Sequence, residues 1–287
     1  MKNLKKILVL GSTGMLGHQV VSYFSNFIDY RIYDISYRTK LRPSSIILDV
    51  IDSSLIEKNI TEINPDFIVN CIGCLNMSPP IYENSIYLNA YLPHLLKNIS
   101  KKLGSKLIHI STDCVFSGIK GQYLELDKRD GNELYSQTKK LGEIVDKSNV
   151  TLRTSIIGPE LKVNGQGLFH WFMCQNENIE GYTESIWSGV TTFELAKAIH
   201  WAIDNKITGL YHITNGHSIN KYELLELFKK HTHKDIKILS VKGKKSDKSL
   251  VDSRKLINYE IPLYEKMVFD MVAYTKLNNN LYGYSGI

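Results

Sequence analysis

The chain has 287 residues, of which 43% are apolar and 22% are charged, the composition of an ordinary globular protein. Its formal net charge of +6 comes from scattered lysines without an arginine- and aromatic-rich motif, so we expect no binding of nucleic acid. No apolar run approaches the length of a membrane span, four cysteines are too few for a disulfide framework, and the histidines show no metal-binding spacing. We therefore expect a cytoplasmic protein with reduced cysteines, without a bound metal and without a membrane partner.

The first part of the chain has the pattern of a dinucleotide-binding unit. Residues 7–10 form a compact apolar run of the kind found in buried parallel strands. The run is followed by Gly11-Ser-Thr-Gly14-Met-Leu-Gly17 and an amphipathic stretch, which predict a turn and a helix. Glycines let a phosphate approach the backbone, and the helix N-terminus offers unpaired N–H groups to it. We expect cofactor contacts from Gly11, Thr13, Gly14, Met15, Leu16 and Gly17.

The end of the predicted second strand, residues 30–35, should decide which dinucleotide binds. An acidic residue there holds a free ribose 2′-OH, whereas an arginine or a serine accepts a 2′-phosphate. Ser36 and Arg38 lie on the loop that leaves this strand and favour NADP (NADPH). Asp34, directed toward the ribose of NAD, is the alternative that the sequence leaves open.

Strands and helices continue to alternate along the chain. Strands are predicted at residues 45–50, 66–73, 106–110 and 150–157, and helices at residues 53–63 and 82–102. The strand at 106–110 brings Ser111, Thr112 and Asp113 to its carboxyl end, where ligands bind in open α/β sheets. Thr112 is thus a candidate hydrogen-bond partner of a substrate carbonyl, although a hydroxyl that only caps the strand fits the pattern equally well.

Tyr135 and Lys139 are one helical turn apart, so both side chains leave the same helix face. A neighbouring stripe suited to the core contains Leu134, Thr138, Leu141 and Val145. Because an ammonium favours a nearby phenolate, we expect Lys139 to lower the pKa of Tyr135. Such a phenol donates a proton to a carbonyl oxygen while hydride arrives at its carbon. A surface tyrosine beside a surface lysine is the alternative interpretation.

The alternation stops after Gly158, and loop formers and aromatic residues follow. We therefore predict an α/β fold with a Rossmann-type doubly wound parallel sheet and a smaller C-terminal α/β substrate lobe. Residues 1–158 are the predicted dinucleotide-binding domain, residues 186–214 return to it, and residues 159–287 are mainly the substrate lobe. The tail at 278–287 is expected to be loosely held. One or two of five aromatic residues should face a ligand: Phe169, Trp171, Phe172, Tyr182 and Trp187.

The glycine motif, Ser111-Thr112-Asp113 and Tyr135-x-x-x-Lys139-x-x-Gly142-Glu143 together resemble the extended short-chain dehydrogenase/reductase superfamily. Within it, the chain is similar to dTDP-4-dehydrorhamnose reductases and related nucleotide-sugar 4-keto reductases. The resemblance implies that Tyr135 is the general acid, that Lys139 holds the nicotinamide ribose and that Thr112 orients the keto oxygen. It also implies cofactor contacts at Asp49, Val50, Asn70, Cys71 and Gly73, and substrate contacts at Thr112, Asp113, Val190 and Thr191.

Three departures from the reductase pattern concern the sugar end. Cys114 replaces the usual tyrosine after the Thr-Asp pair, Cys71 and Ile72 replace Ala-Ala, and no Arg-Pro sequence precedes the last segment. The predicted function is NADPH-dependent reduction of a nucleotide-linked 4-keto-6-deoxy sugar, dTDP- or UDP-linked, for capsule or O-antigen precursors. An NAD-retaining epimerase and a non-catalytic nucleotide-binding regulatory subunit are the alternatives, and a homodimer is the default assembly.

Overall fold

The computed structural model describes residues 4–75, 82–253 and 259–284. In its first half, strands and helices alternate in the predicted order. The strands are β1 (Lys5–Leu10), β2 (Tyr30–Ser36), β3 (Ile46–Ile47), β4 (Phe67–Asn70), β5 (Lys106–Thr112), β6 (Val150–Thr154) and β7 (Ile156–Ile157). The helices are α1 (Gly17–Phe24), α2 (Ser53–Ile63), α3 (Tyr82–Ser85), α4 (Leu92–Leu103) and α5 (Leu134–Leu141), with a π-helix at Ile86–Tyr91 and a 3₁₀ turn at Asp113–Val115.

The second half contains shorter strands and longer helices. The strands are β8 (Ile179–Tyr182), β9 (Ser185–Trp187), β10 (Val190–Thr191), β11 (Gly209–His212), β12 (Ile219–Asn220), β13 (Ile238–Val241) and β14 (Ser246–Asp247). The helices are α6 (Leu168–Cys174), α7 (Thr192–Asp204), α8 (Lys221–Thr232) and α9 (Tyr264–Leu277), followed by a 3₁₀ turn at Asn279–Leu281. A capping box formed by Asn220 and Glu223 opens α8.

Seven parallel strands form the central sheet in the order β11-β6-β5-β4-β1-β2-β3. The chain moves from β1 outward to β3 and then returns to place β4 on the other side of β1. This reversal leaves a crevice at the carboxyl ends of β1 and β4, where ligands bind in such sheets. The predicted Rossmann-type doubly wound sheet is confirmed.

Both faces of the sheet are covered, which explains the continuous apolar run of β1. Ile7 and Val9 contact the core shared with α1 and α7, whereas Leu8 and Leu10 contact the core shared with α2 and α4. All four side chains are fully buried. The strand therefore has no polar face, as expected of a central parallel strand.

Three small sheets lie outside the central sheet: β7 with β10, β8 with β13, and β9 between β12 and β14. Strand β11 instead joins the central sheet beside β6. Phe169, Phe172 and Trp187 belong to the core, whereas Trp171 and Tyr182 are exposed. The domain boundary at residue 158 stays a prediction.

Several predicted elements differ in detail. The third strand contains only Ile46–Ile47, and the sixth is interrupted at Ser155, whose carbonyl accepts a hydrogen bond from Val190 N–H. Helix α5 ends at Leu141 because the chain turns at Gly142. The predicted core stripe is therefore wrong for Leu141 and Val145, which are 63% and 66% exposed.

The predicted loose tail is wrong for residues 278–284, and residues 285–287 lie outside the described part. Tyr282 and Tyr284 are both buried, with hydroxyl groups bonded to side chains or backbone of distant elements. The number of asparagines in this segment indicated disorder, but the two aromatic rings bury enough apolar surface to hold it.

The described residues, 4–75, 82–253 and 259–284, were compared with the patterns of membrane spans and metal sites. There, no helix has the length and apolar character needed to cross a membrane. The same residues contain no cluster of His, Cys, Asp or Glu suited to a metal ion. All four cysteines are free thiols.

Candidate active site

The glycine turn between β1 and α1 is a tight loop that only glycine permits. Gly11 has a φ of +79°, and its N–H donates to the carbonyl of Ile35 at the end of β2. A Cβ on Gly17 would lie 2.1 Å from the carbonyl oxygen of Gly11, so a larger residue would force the turn open. No side chain caps the N-terminus of α1, which leaves the first helical N–H groups available to an anion.

A cavity of about 590 Å³ lies at the carboxyl ends of β1, β4 and β5. It is the crevice expected where the strand order reverses. Residues from six separate stretches of sequence meet there. Predicted site residues that line it are Thr13, Gly14, Met15, Leu16, Cys71, Gly73, Thr112, Asp113, Tyr135 and Lys139.

The Tyr135 phenol and the Thr112 hydroxyl both line this cavity. Thr112 Oγ1 donates to Asp113 Oδ1 and accepts from Cys114 N–H, each at 3.1 Å. Burial raises the pKa of Tyr135 above its usual value, nearby Cys114 and Asp113 raise it further, and a hydrogen bond with Thr112 opposes them. The expectation that Lys139 would lower this pKa is wrong, because desolvation of the phenolate outweighs any nearby positive charge. Tyr135 is therefore a neutral phenol at neutral pH, the form that donates a proton.

Lys139 is a buried cation one turn along α5. Its Nζ donates to the carbonyl oxygen of Ile110 at 2.7 Å. Burial lowers the pKa of Lys139 to about 8, and the negative charge of Glu143 works in the opposite direction. The side chain thus carries its charge below about pH 8 and is directed toward β5.

Glu143, two turns from Tyr135, fixes this part of the chain to the sheet. Its carboxylate accepts from Ser111 Oγ, from Nε and Nη2 of Arg153, and from Nη1 of Arg129, all at 2.7 Å. Arg153 lies on β6 and is itself 1% exposed. Since Ser111 precedes Thr112 on β5, this network sets the position of Thr112 relative to α5.

Asn89, in the π-helix, connects the loop after β4 to α5. Its side chain pairs with both N–H and C=O of Cys74, at 2.8 and 2.9 Å, and donates to Thr138 Oγ1 at 3.2 Å. A Cβ on Gly142 would lie 1.9 Å from the backbone oxygen of Asn89. The helix that carries Tyr135 and Lys139 is therefore packed directly on the π-helix.

Comparison with known proteins agrees with this geometry. The family model described as RmlD substrate binding domain matches residues 5–253. The chain belongs to the RmlD family. This match confirms the predicted resemblance to extended short-chain dehydrogenases/reductases. It also agrees with the predicted class of NAD(P)-dependent oxidoreductase.

Relatives of this RmlD-family chain include proteins of different function. It is 23% identical over 245 residues to the spore coat polysaccharide biosynthesis protein SpsK of Bacillus subtilis (strain 168), covering 83% of each chain. It is 31% identical over 144 residues to methionine adenosyltransferase 2 subunit beta of Danio rerio, covering 48% of this chain and 42% of that protein.

Solved structures share the fold over nearly the whole length. The dTDP-4-dehydrorhamnose reductase of Bacillus anthracis, in complex with NADP, has a TM-score of 0.82 at 20% identity and covers 95% of this chain and 99% of its own. WbmH of Bordetella bronchiseptica, in complex with NAD⁺, has a TM-score of 0.77 at 18% identity and covers 96% and 99%.

The residues predicted to select the dinucleotide lie outside the cavity of the RmlD-family chain. Asp34 is fully buried and forms an ion pair with Arg42, with Nε 2.7 Å from Oδ1. Ser36 is also buried and donates to the carbonyl oxygen of Thr39. Arg38 is exposed, with its guanidinium 4.8 Å from the centre of the Tyr37 ring.

Seven other predicted residues also lie outside the cavity lining, and two of them, Gly11 and Gly17, belong to the glycine turn itself. Asp49 is exposed and accepts from Ile51 N–H, and Val50 belongs to the core below α2. Asn70 is buried, with its amide near His109 Nδ1 and its oxygen accepting from Ile72 N–H. Val190 and Thr191 are fully buried, and Thr191 caps α7 through Glu194 N–H.

Sequence reasoning missed the wall opposite the glycine turn. This wall is the loop at residues 160–167, which contributes Glu160, Lys162 and Gly167 to the cavity. The carboxylate of Glu160 accepts from the N–H groups of Gln166 and Gly167 and so closes the loop on itself. No motif marked the loop. Glu143, in contrast, stood inside the Tyr135 motif, and this position was a signal that the sequence analysis did not use.

A second groove, of about 420 Å³, adjoins this loop along α6. Trp171 and Tyr182 line it together with Lys221, whereas the other three predicted aromatics are core. Leu168 stands in this groove directly after Gly167 of the main cavity, so the two openings are neighbours. Flat aromatic faces beside a lysine suit a nucleobase and its phosphates.

Proposed function

We propose that this RmlD-family chain is an NADPH-dependent reductase of a nucleotide-linked 4-keto-6-deoxy sugar. The observation that carries the proposal is the presence of Thr112, Tyr135 and Lys139 in the same cavity as the glycine turn. A proton donor, a second hydroxyl and a buried cation beside a phosphate-binding turn are the groups that carbonyl reduction requires.

Each of the three residues has a distinct role in the proposed reaction. Tyr135, a neutral phenol, donates its proton to the sugar carbonyl oxygen. Thr112 Oγ1, which donates to Asp113 Oδ1 in this structure, turns its one proton to the same carbonyl oxygen. Lys139, whose charge is held inside the site, binds the ribose next to the nicotinamide and stabilises that phenolate. NADPH, when bound, supplies the hydride to the carbonyl carbon.

The described residues fit a dinucleotide. The uncapped start of α1 and the glycine turn would hold the pyrophosphate, and Cys71 and Gly73 border the path toward Lys139. A Cβ on Gly73 would meet no atom within 4 Å, so this space is open to a ligand. We assign residues 1–158 to this function and residues 159–287 mainly to the substrate.

NADP is favoured over NAD by the state of Asp34. Its carboxylate is buried and does not line the cavity, and Oδ1 is paired with Arg42, whereas Oδ2 has no hydrogen-bond partner among the described residues. Arg38 is the exposed cation at the end of β2, and we assign the 2′-phosphate to it. The NADP complex of the Bacillus anthracis structure supports this choice, and the NAD⁺ complex of WbmH keeps NAD as the alternative.

The nucleotide of the substrate is assigned to the groove at Trp171 and Tyr182. In that position the sugar would extend from the groove past the 160–167 loop to Tyr135. A role in surface polysaccharide precursor synthesis is supported by the similarity to SpsK, a spore coat polysaccharide biosynthesis protein.

Replacement of Tyr135 by phenylalanine tests the proposal. We expect kcat with dTDP- and UDP-linked 4-keto-6-deoxy sugars to fall at least about 100-fold, the usual contribution of a general acid, while NADPH still binds. NADPH fluorescence titration and a consumption assay measure the two effects. The exposed Tyr91, replaced by phenylalanine, is the control. Full turnover in the Tyr135 variant would refute the assignment.

A regulatory subunit is the second candidate, because methionine adenosyltransferase 2 subunit beta is similar to about half of the chain. That candidate does not need a buried Lys139 next to a phenol. Absence of NADPH consumption with every substrate of the panel, together with a stable complex with a second protein, would favour it over the reductase.

A further inference from the structure

The end of the described chain contains two tyrosines that pack on each other. Tyr282 and Tyr284, here called the tyrosine pair, have ring centres 5.9 Å apart and planes inclined by 8°. They are 4% and 7% exposed. Their hydroxyl groups form hydrogen bonds with two different parts of the molecule.

Tyr282 is bonded to the helix that follows the glycine turn. His18 Nδ1 lies 2.8 Å from the carbonyl oxygen of Gly14, which only accepts, so Nδ1 carries the proton. Burial lowers the pKa of His18 to about 4, so its Nε2 is unprotonated and accepts from the Tyr282 hydroxyl at 2.9 Å. Gln19 Nε2 donates to the same hydroxyl at 2.7 Å. Tyr282 thus holds Gly14 through one histidine.

Tyr284 is bonded to the opposite wall of the cavity. The N–H of Glu160 donates to its hydroxyl at 2.9 Å. His170 Nε2 lies 3.1 Å from the carbonyl oxygen of Val163 and must donate to it, so Nδ1 accepts from the Tyr284 hydroxyl at 2.9 Å. Tyr284 therefore fixes both the start and the middle of the 160–167 loop.

The two walls held in this way face the same cavity. Gly14 and Glu160 both line it. The walls also meet at one point, because a Cβ on Gly167 would lie 2.4 Å from the terminal methyl of Met15. The tyrosine pair is a second bridge between them, behind the cavity.

We propose that Tyr282 and Tyr284 are positioning residues that set the separation between the glycine turn and the 160–167 loop. A dinucleotide that orders the turn then orders the loop against which the nucleotide sugar binds. The identity of these ligands rests on the proposed function, whereas the bridge itself rests on the contacts of the tyrosine pair.

Replacement by phenylalanine separates the hydroxyl contacts from ring packing. Tyr284→Phe and Tyr282→Phe keep the stacked rings and remove one hydroxyl each. Tyr274→Phe is the matched control, since it removes a hydroxyl bond between α9 and Ser22 of α1 that lies away from the cavity. All three variants lose one hydroxyl from a tyrosine near the C-terminal end.

Amide hydrogen exchange without added ligand tests the bridge. We expect Tyr284→Phe to accelerate exchange in residues 160–167, and Tyr282→Phe to accelerate it in residues 14–19, relative to the wild type. Tyr274→Phe should change neither segment. If Tyr282→Phe and Tyr284→Phe show the same exchange rates as Tyr274→Phe in both segments, the proposal is overturned. This outcome does not depend on whether the protein is a reductase.

Ligand binding tests the positioning role. With NADPH as probe, we expect Tyr282→Phe to raise Kd roughly 3–10-fold, the effect of one lost hydrogen bond. For Tyr284→Phe we expect a smaller rise in the NADPH Kd, because binding at the turn and order in the loop are coupled, and a roughly 3–10-fold rise in the KM of the keto-sugar nucleotide at nearly constant kcat. Addition of NADPH should slow exchange in residues 160–167 of the wild type but not of the double variant, in which Tyr282 and Tyr284 are both replaced by phenylalanine.

The outcomes distinguish the two proposals. Failure of NADPH to bind the wild type would refute the proposed function, and the exchange experiment without ligand would still decide on the bridge. Normal binding with equal NADPH-induced protection in the wild type and the double variant would overturn the positioning role alone.

Discussion

Lys139 shows how a single buried charge depends on its neighbours. Its pKa of about 8 lies below the usual value of a lysine because burial disfavours the ammonium, and Glu143 limits the decrease. The protein therefore loses this charge as the pH rises through about 8. An unfolded chain keeps the proton to a higher pH, so this group makes the fold more stable as the pH rises from about 8 toward 10.5.

Activity should follow the charge of Lys139. We expect kcat/KM for the keto sugar to fall as the pH rises through about 8, and Glu143→Gln to move this decrease to lower pH. The same change leaves Arg153 and Arg129 without their anion, so the free energy of unfolding should also fall by about 3–5 kcal/mol. A pH–rate profile and denaturant unfolding measure the two effects.

Glu133 provides the control for this variant. It is an exposed carboxylate at the start of the same helix, so Glu133→Gln should change neither the profile nor the stability. If the decrease in kcat/KM at high pH occurs at the same pH in Glu143→Gln as in the wild type, the charge of Lys139 does not govern turnover.

Arg38 should decide between the two dinucleotides. Arg38→Ala is expected to raise the KM for NADPH about 10-fold or more and to leave the KM for NADH nearly unchanged, because only NADPH carries the 2′-phosphate. Steady-state kinetics with both cofactors measure it. Lys40→Ala, an exposed cation two residues on, is the control. Equal losses with both cofactors would contradict the assignment.

The sequence predicted which residues meet at the site better than it predicted their electrostatics. Thr112, Tyr135 and Lys139 could be placed together from their positions at a strand end and on a helix face. The direction of the Tyr135 pKa could not, because it depends on how deeply the cavity buries the phenol, and burial comes from the 160–167 loop and other segments distant in sequence.

At the scale of elements, the contact between α5 and the π-helix leaves the least room for a larger side chain. A methyl group on Gly142 would lie 1.9 Å from the Asn89 carbonyl oxygen. Since backbone cannot yield as a flexible side chain does, Gly142→Ala should lower the free energy of unfolding by about 3 kcal/mol or more and displace Tyr135. Denaturant unfolding and kcat are the measurements.

Gly73→Ala is the matched variant, and we expect it to affect ligand binding and not stability. Its Cβ would meet no described atom within 4 Å, so stability should hardly change. The methyl group would instead enter the space assigned to the dinucleotide, and NADPH binding should weaken. Equal stability of the Gly142 and Gly73 variants would contradict the close packing of α5 on the π-helix.

The sequence predicted the regular elements well where a local signal existed. Helix α2 has the predicted bounds because Asp52 caps its start and Asn64, with a φ of 48°, ends it. The π-helix and the break at Ser155 carried no such signal. They result from tertiary contacts, with Cys74 and with Val190, that a linear pattern does not contain.

At the scale of the whole molecule, the π-helix and the region around α5 present apolar side chains to solvent. The most exposed are Ile86, Tyr91, Leu141 and Val145. Because most soluble oligomers are symmetric homodimers, we expect this surface to be covered by a second copy of the chain. Sedimentation equilibrium should give a dimer mass for the wild type and a monomer mass for Leu141→Glu. Leu126→Glu, at a leucine elsewhere that is even more exposed (99% against 63% for Leu141), is the control.

The outer border of the central sheet depends on Arg42. Strand β3 pairs only with Ile35 and Ser36, so within the described chain the carbonyl of Ile32 has no strand partner on that side. The guanidinium of Arg42 donates to this carbonyl at 2.6 Å while pairing with Asp34. A charged group placed along a bare strand blocks the docking of a foreign β-strand. The ion pair that holds Asp34 therefore also protects this edge of the sheet from pairing with another chain.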